Sequence, residues 1–121
     1  MRVLVCGSRE FENLEFVTEI LDYIAGDTPI DTIITGAARG ADNLAELYAA
    51  AEGIMVDRYP ANWRRYGRSA GQMRNRQMLA ASKPDLVVAF KVADAPGKNV
   101  GTNHMIAIAK RAGVTVEEHY K

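Results

Sequence analysis

At 121 residues, 48% of them apolar, the chain has the size of one domain, residues 1–121, with a core of its own. Its 15 Lys and Arg balance 15 Asp and Glu, so it lacks the overall basic excess that non-specific nucleic-acid binding uses. The single cysteine, Cys6, excludes an internal disulfide and no apolar run reaches the ~20 residues that cross a bilayer. The N-terminus enters a strand pattern with no charged-then-apolar leader, and the expected setting is cytoplasmic, away from membranes.

Arg2 to Cys6 reads as a short strand buried on both faces, followed by a loop from Gly7 to Glu12. Asn13 is a fitting N-cap for a helix whose apolar residues Leu14, Val17, Leu21 and Ile24 recur at helical spacing up to Gly26. Asp31 to Thr35 gives a second strand, Ala41 to Tyr48 a second helix ending at Gly53, and Ile54 to Val56 a third strand. Pro60 to Gly71, with Trp63 and Tyr66 among Arg64, Arg65 and Arg68, reads as a loop feeding a helix from Ala70 to Ala81, which Pro84 ends. Leu86 to Phe90 is the most apolar strand. A loop from Val92 to Gly101 leads to a fourth helix carrying Met105, Ile108, Ala109 and Ala112, and Val114 to Val116 closes as a fifth strand.

Alternation of strand and helix with short connections predicts a Rossmann-like, doubly wound α/β fold, a parallel five-stranded sheet with helices on both faces. Ligands of such sheets bind beyond the carboxyl ends of the strands, here the loops 7–12, 36–41, 59–69 and 91–101.

Gly7-Ser8-Arg9 offers a turn, a hydroxyl and a cation to an anion, or simply a tight turn with a surface arginine. Neither G-x-G-x-x-G nor the P-loop pattern with its Gly-Lys-Ser/Thr is present, so dinucleotide-fingerprint and P-loop readings are weak. Gly36-Ala37-Ala38-Arg39-Gly40-Ala41-Asp42 is a glycine-bearing turn from strand to helix. Its backbone N–H groups could meet an anion, while Asp42 accepts from ribose hydroxyls or caps helix N–H groups. Trp63 and Tyr66 among arginines suit a stacked base or a packed partner surface. Arg74 and Arg76 point about 200° apart on a regular helix, so one is expected in the cleft and the other on a carboxylate or a second subunit. Met73, Met78 and Leu79 spread around the same helix, which favours a homo-oligomer.

Gly97 to His104 forms a second turn onto a helix N-terminus, with Thr102 as N-cap. His104, in the first turn, reads as solvent-facing or as a neutral imidazole able to hydrogen-bond or move a proton. His119 shows no partner in the sequence, Cys6 reads as core, and two histidines and one cysteine far apart give no metal site.

Gly7-Ser8-Arg9, Gly36 to Asp42, Pro60 to Trp63, Tyr66-Gly67-Arg68, Gly71, Arg74-Asn75 and Gly101-Thr102 occur in the order that resembles the YspA-like, cpYpsA-related branch of the SLOG superfamily. The resemblance spans nearly the whole chain. It implies a Rossmann-like domain of phage or bacterial type that binds a nucleotide or nucleotide-derived ligand such as ADP-ribose or an NAD-related molecule. The implied ligand-binding residues are Gly7, Ser8, Arg9, Gly36, Arg39, Gly40, Asp42, Trp63, Arg68, Arg74, Asn75, Gly101 and Thr102.

A more distant similarity is to LOG phosphoribohydrolases. Met73 to Gln77 resembles their Met-Arg-x-Arg-Lys motif, and Pro96 to Met105 their Pro-Gly-Gly-x-Gly-Thr-x-x-Glu motif. Gln77 replaces the lysine, and Met105 stands in place of the glutamate that glycosidic cleavage would use. Asp42, Arg74 and His104 are the remaining catalytic candidates. Three readings follow: a non-catalytic nucleotide binder, an N-glycosidic hydrolase, and a single-stranded DNA binder, against which net neutrality counts. No cofactor or metal is expected.

Overall fold

The computed structural model describes residues 1–93 and 96–121, so part of the predicted 91–101 loop lies outside the described residues. The strands are β1 (Arg2–Gly7), β2 (Thr32–Thr35), β3 (Met55–Arg58), β4 (Leu86–Lys91) and β5 (Thr115–Tyr120). The helices are α1 (Leu14–Asp27), α2 (Ala41–Glu52), α3 (Trp63–Tyr66), α4 (Ala70–Ser82) and α5 (Val100–Arg111), with 3₁₀ turns at Gly67–Ser69 and Pro96–Lys98.

All strand pairs are parallel, in the order β3-β2-β1-β4-β5. The order reverses between β1 and β4, where Val3 to Gly7 run in register with Leu86 to Phe90. Both strands are buried on both faces, which explains their unbroken apolar runs. On one face Val17, Leu21 and Ile24 of α1 and Ala45, Tyr48 and Ala49 of α2 pack on Val3, Val5, Ile33 and Val88. On the other, Met78 of α4 and Met105, Ile106 and Ala109 of α5 pack on Leu4, Ile34, Val87 and Ala89. Each fully buried large aliphatic contributes roughly 1.5–3 kcal/mol of transfer free energy.

Local signals set the helix ends. Asn13 Oδ1 accepts from Phe16 N–H at 3.0 Å and starts α1. Gly53, at φ 69°, supplies the left-handed residue that ends α2.

Three boundaries depart from the sequence reading. β3 lies at 55–58 rather than 54–56, and β5 runs to Tyr120 rather than stopping at Val116. Both are edge strands whose polar residues hide the strand pattern, and pairing with β2 and β4 sets their extent. The expected loop before α4 holds the turn α3, capped by Asn62 Oδ1 on Arg65 N–H at 3.1 Å. Met78 is buried and Leu79 packs partly on the second core, while Met73 is 39% exposed. The fold itself therefore accounts for two of the three apolar residues that suggested an oligomer. No helix is long and apolar enough to cross a membrane among the described residues.

Candidate functional site

A cleft of about 480 Å³ opens at the carboxyl ends of β1 and β4, where the strand order reverses. Gly7, Ser8, Arg9, Arg39, Asp42, Trp63, Arg68, Arg74, Asn75, Gly101, Thr102 and His104 all line it, although they come from five separate segments of chain. Gly36 and Gly40 do not line it. A Cβ at Gly36 would collide with the Arg74 guanidinium, and one at Gly40 with the Ser8 and Arg9 backbone.

The 36–42 turn differs from an open anion cradle. Asp42 is buried, and its Oδ2 accepts from the N–H groups of Gly36 (3.0 Å) and Ala38 (3.3 Å). Thr35 Oγ1 accepts from Ala37 N–H at 3.2 Å and donates to Glu46 at 2.7 Å. The turn's own side chains thus use the amides that sequence reasoning had reserved for a ligand. Burial pushes the Asp42 carboxyl up to about 6, against the lowering effect of the Ala38 amide, Arg74 and the Gly36 amide. Its Oδ1 has no protein hydrogen bond among the described residues.

Ser8 is the hinge of the neighbouring loop. Its N–H donates to Phe90 O at 3.0 Å, its carbonyl accepts from Phe11 and Ala41 N–H, and its Oγ accepts from Glu10 N–H at 3.1 Å. The guanidinium of Arg9 lies 5.0 Å from the Trp63 ring centroid, so the ring face proposed for a base carries a cation in this structure.

Arg74 crosses from α4 to hold two loops. Its Nη1 donates to Gly36 O at 2.5 Å and to Tyr59 O at 3.4 Å, and its Nε donates to Asn75 Oδ1 at 3.0 Å. Asn75, buried, then donates through Nδ2 to Gly101 O at 3.2 Å and lies 3.1 Å from His104 Nδ1. The donor on one side and the carbonyl on the other orient the amide. Nδ1 of His104 must therefore accept, and the ring proton sits on Nε2. That nitrogen is buried with no hydrogen-bond partner among the described residues. Burial, with Arg76 and Arg111 nearby, holds the imidazole below its ordinary pKa and keeps it neutral. His104 is partly buried against α4 rather than solvent-facing.

The first turn of α5, Val100 to Thr102, lines the cleft and carries no acidic residue. Asn99, not Thr102, holds the N-cap position, so Thr102 falls inside the first turn. Thr102 is 4% exposed, and its hydroxyl has no hydrogen-bond partner among the described residues. Sequence reading passed over Glu10, Gln72 and Lys98, which also line the cleft. Lys98 could have been found from its place in the glycine turn before α5; Gln72 gives no signal. His119, expected alone, lies 3.1 Å from Glu117 and stacks on Phe90 at 5.8 Å, outside the cleft. Cys6 sits at the cleft floor, where burial raises its pKa and keeps it a thiol.

The family described as YspA, cpYpsA-related SLOG matches residues 1–66. The Gene 61 protein of Mycobacterium phage D29 is 34% identical over 121 residues, which cover 95% of this chain and 93% of that protein. The chain belongs to the YspA, cpYpsA-related SLOG family. The family match holds the loops after β1 and β2 and ends at Tyr66, so the α4 and α5 side of this SLOG cleft is placed by the fold. The SLOG chain also shares its fold with the DNA processing protein A (DprA) of Streptococcus pneumoniae, at 17% identity and a TM-score of 0.57. That match covers 98% of this chain but spans only 58% of the pneumococcal one.

Proposed function

We propose that the cleft binds a nucleotide or nucleotide-derived ligand, in the class of ADP-ribose, NAD-related molecules or nucleoside monophosphates, and that the protein senses or sequesters it. One observation carries this reading. Among the described residues, Arg9, Arg39, Arg68, Arg74 and Lys98 face two carboxylates, Glu10 and Asp42, across a cleft into which a helix N-terminus without acidic residues opens. In the proposed pose the phosphate meets the first turn of α5, the Thr102 hydroxyl and the free edge of Arg74. A ribose hydroxyl donates to Asp42 Oδ1, and the base stacks on the Arg9–Trp63 layer.

Binding is favoured over N-glycosidic cleavage because Met105, at the position of the LOG glutamate, is fully buried in the core and does not line the cleft. A hydrolase would have to rely on Asp42 or His104. The structural neighbour is a DNA processing protein, which makes single-stranded DNA the competing ligand.

Purified protein is heated with nucleoside monophosphates, NAD and ADP-ribose, and the same mixtures are analysed by chromatography. A rise in Tm without product is expected, and Thr102→Val should weaken binding by roughly tenfold, the usual worth of one hydrogen bond. Released base would establish the hydrolase. No shift with any nucleotide, together with salt-sensitive retention of single-stranded DNA, overturns the small-molecule reading.

A further inference from the structure

A second feature lies at the other end of the strands. The helices on the two faces of the sheet are oppositely charged: α1 carries four carboxylates and α2 three, with no lysine or arginine on either, while α4 and α5 carry two cations each and no carboxylate. Net neutrality of the chain as a whole conceals this difference between the two helix faces.

On the basic face, Leu79, Ala80, Pro84, Ile108, Ala112 and Val114 form an apolar groove of about 440 Å³ between α4 and α5, with Arg76 and Lys83 at its rim. Both rim cations are exposed, and neither makes an ion pair or hydrogen bond among the described residues. Arg76 lines this groove and not the cleft, and among the described residues no carboxylate pairs with it. On the acidic face, Tyr23 of α1 is 83% exposed, and Glu19 and Asp27 stand one helical turn to either side of it, both exposed and without partners among the described residues.

We propose that the α4–α5 groove receives α1 of a second copy of this chain, with Tyr23 in the apolar trough and Glu19 and Asp27 on Arg76 and Lys83. The spacings are comparable: eight residues of helix separate the two acids, about 12 Å, and the two bases stand seven positions apart, with Lys83 at the left-handed cap that ends α4. An apolar trough between two cations fits an aromatic between two carboxylates better than it fits a phosphate backbone, which takes cations without a hydrophobic floor. The two surfaces lie on opposite faces of one molecule, so the contact is head-to-tail. It propagates into rings or open chains rather than closing as a two-fold dimer.

Sedimentation velocity of the full chain over a range of concentrations, at low and high salt, tests this. The expected result is association that passes beyond dimer at low salt and is lost at high salt. Tyr23→Ala should weaken it at least tenfold. Glu19→Lys with Asp27→Lys, and separately Arg76→Glu with Lys83→Glu, should each abolish association, and an equimolar mixture of the two double variants should restore it. All substitutions are on exposed side chains, and unchanged circular dichroism and Tm confirm folding. A monomer at every salt and concentration overturns the proposal. So does a closed dimer indifferent to Tyr23→Ala, or a mixture that fails to associate. Salt-sensitive binding of an oligonucleotide that Arg76→Glu removes, in a chain that does not self-associate, would assign the basic face to nucleic acid and overturn it equally.

Discussion

Asp42 is a buried carboxylate whose two oxygens are used differently. Oδ2 ties down the β2–α2 turn, and Oδ1 has no protein hydrogen bond among the described residues. Because folding raises its pKa from 3.8 to about 6, the folded chain keeps a proton that the unfolded chain has lost across that window. This group's contribution to stability therefore falls as pH rises from about 4 to about 6, by about 3 kcal/mol, and is level above. Asp42→Asn, which keeps an oxygen for the Gly36 and Ala38 amides, should flatten that dependence in urea unfolding at pH 4.5 and 7. It should raise stability at pH 7 while lowering nucleotide affinity. His104 makes a separate prediction. Nitrogen-15 correlation spectra at pH 7 should show a neutral ring with the proton on Nε2 and a titration midpoint below 6.5, and Asn75→Ala should disturb both. A protonated ring or a proton on Nδ1 would remove the Arg74–Asn75–His104 chain as drawn.

At the scale of elements, two glycines separate packing from site geometry. Gly7 ends β1 where a Cβ would meet the Phe90 carbonyl and Ala41 Cβ, both on rigid elements. Gly7→Ala should cost about 1–3 kcal/mol in the urea midpoint, as overpacking between fixed backbones does. At Gly36 the obstruction is the end of a flexible arginine, so Gly36→Ala should cost less than about 1 kcal/mol but displace Arg74 and weaken nucleotide binding. Equal stability losses in the two variants would contradict this division. The elements themselves were legible where their period was unambiguous: α1, α2, α4, β1 and β4 fall within about a residue of the sequence reading. The edge strands β3 and β5 were not, because Asp57, Arg58, Glu117 and Glu118 are polar residues paired with Arg2, Glu46, His119, and Lys91 and Lys110, and carry no strand alternation.

For the whole molecule, the two surfaces lie at opposite ends of the parallel strands. The cleft sits at their carboxyl ends, while Pro84 and Val114 of the groove precede β4 and β5. Ligand binding and self-association should thus be separable, and Tyr23→Ala should leave the nucleotide-induced Tm shift intact. The partition of charge between faces is invisible in composition, because equal totals of acid and base say nothing about how far apart they stand.

Hydrophobic period and turn chemistry are local properties, so the sequence by itself determined the alternating strands and helices, the strand-end loops and the ordered glycine and arginine motifs of a SLOG domain. Which groups remain free for a ligand was a tertiary matter. Only the packed structure shows that Asp42 and Thr35 use the amides of the 36–38 turn, that Arg9 covers Trp63, and that Asn75 joins Arg74 to His104. Those contacts join residues from separate elements, and hydrogen-bond capacity spent between distant segments leaves no trace in the spacing of either one.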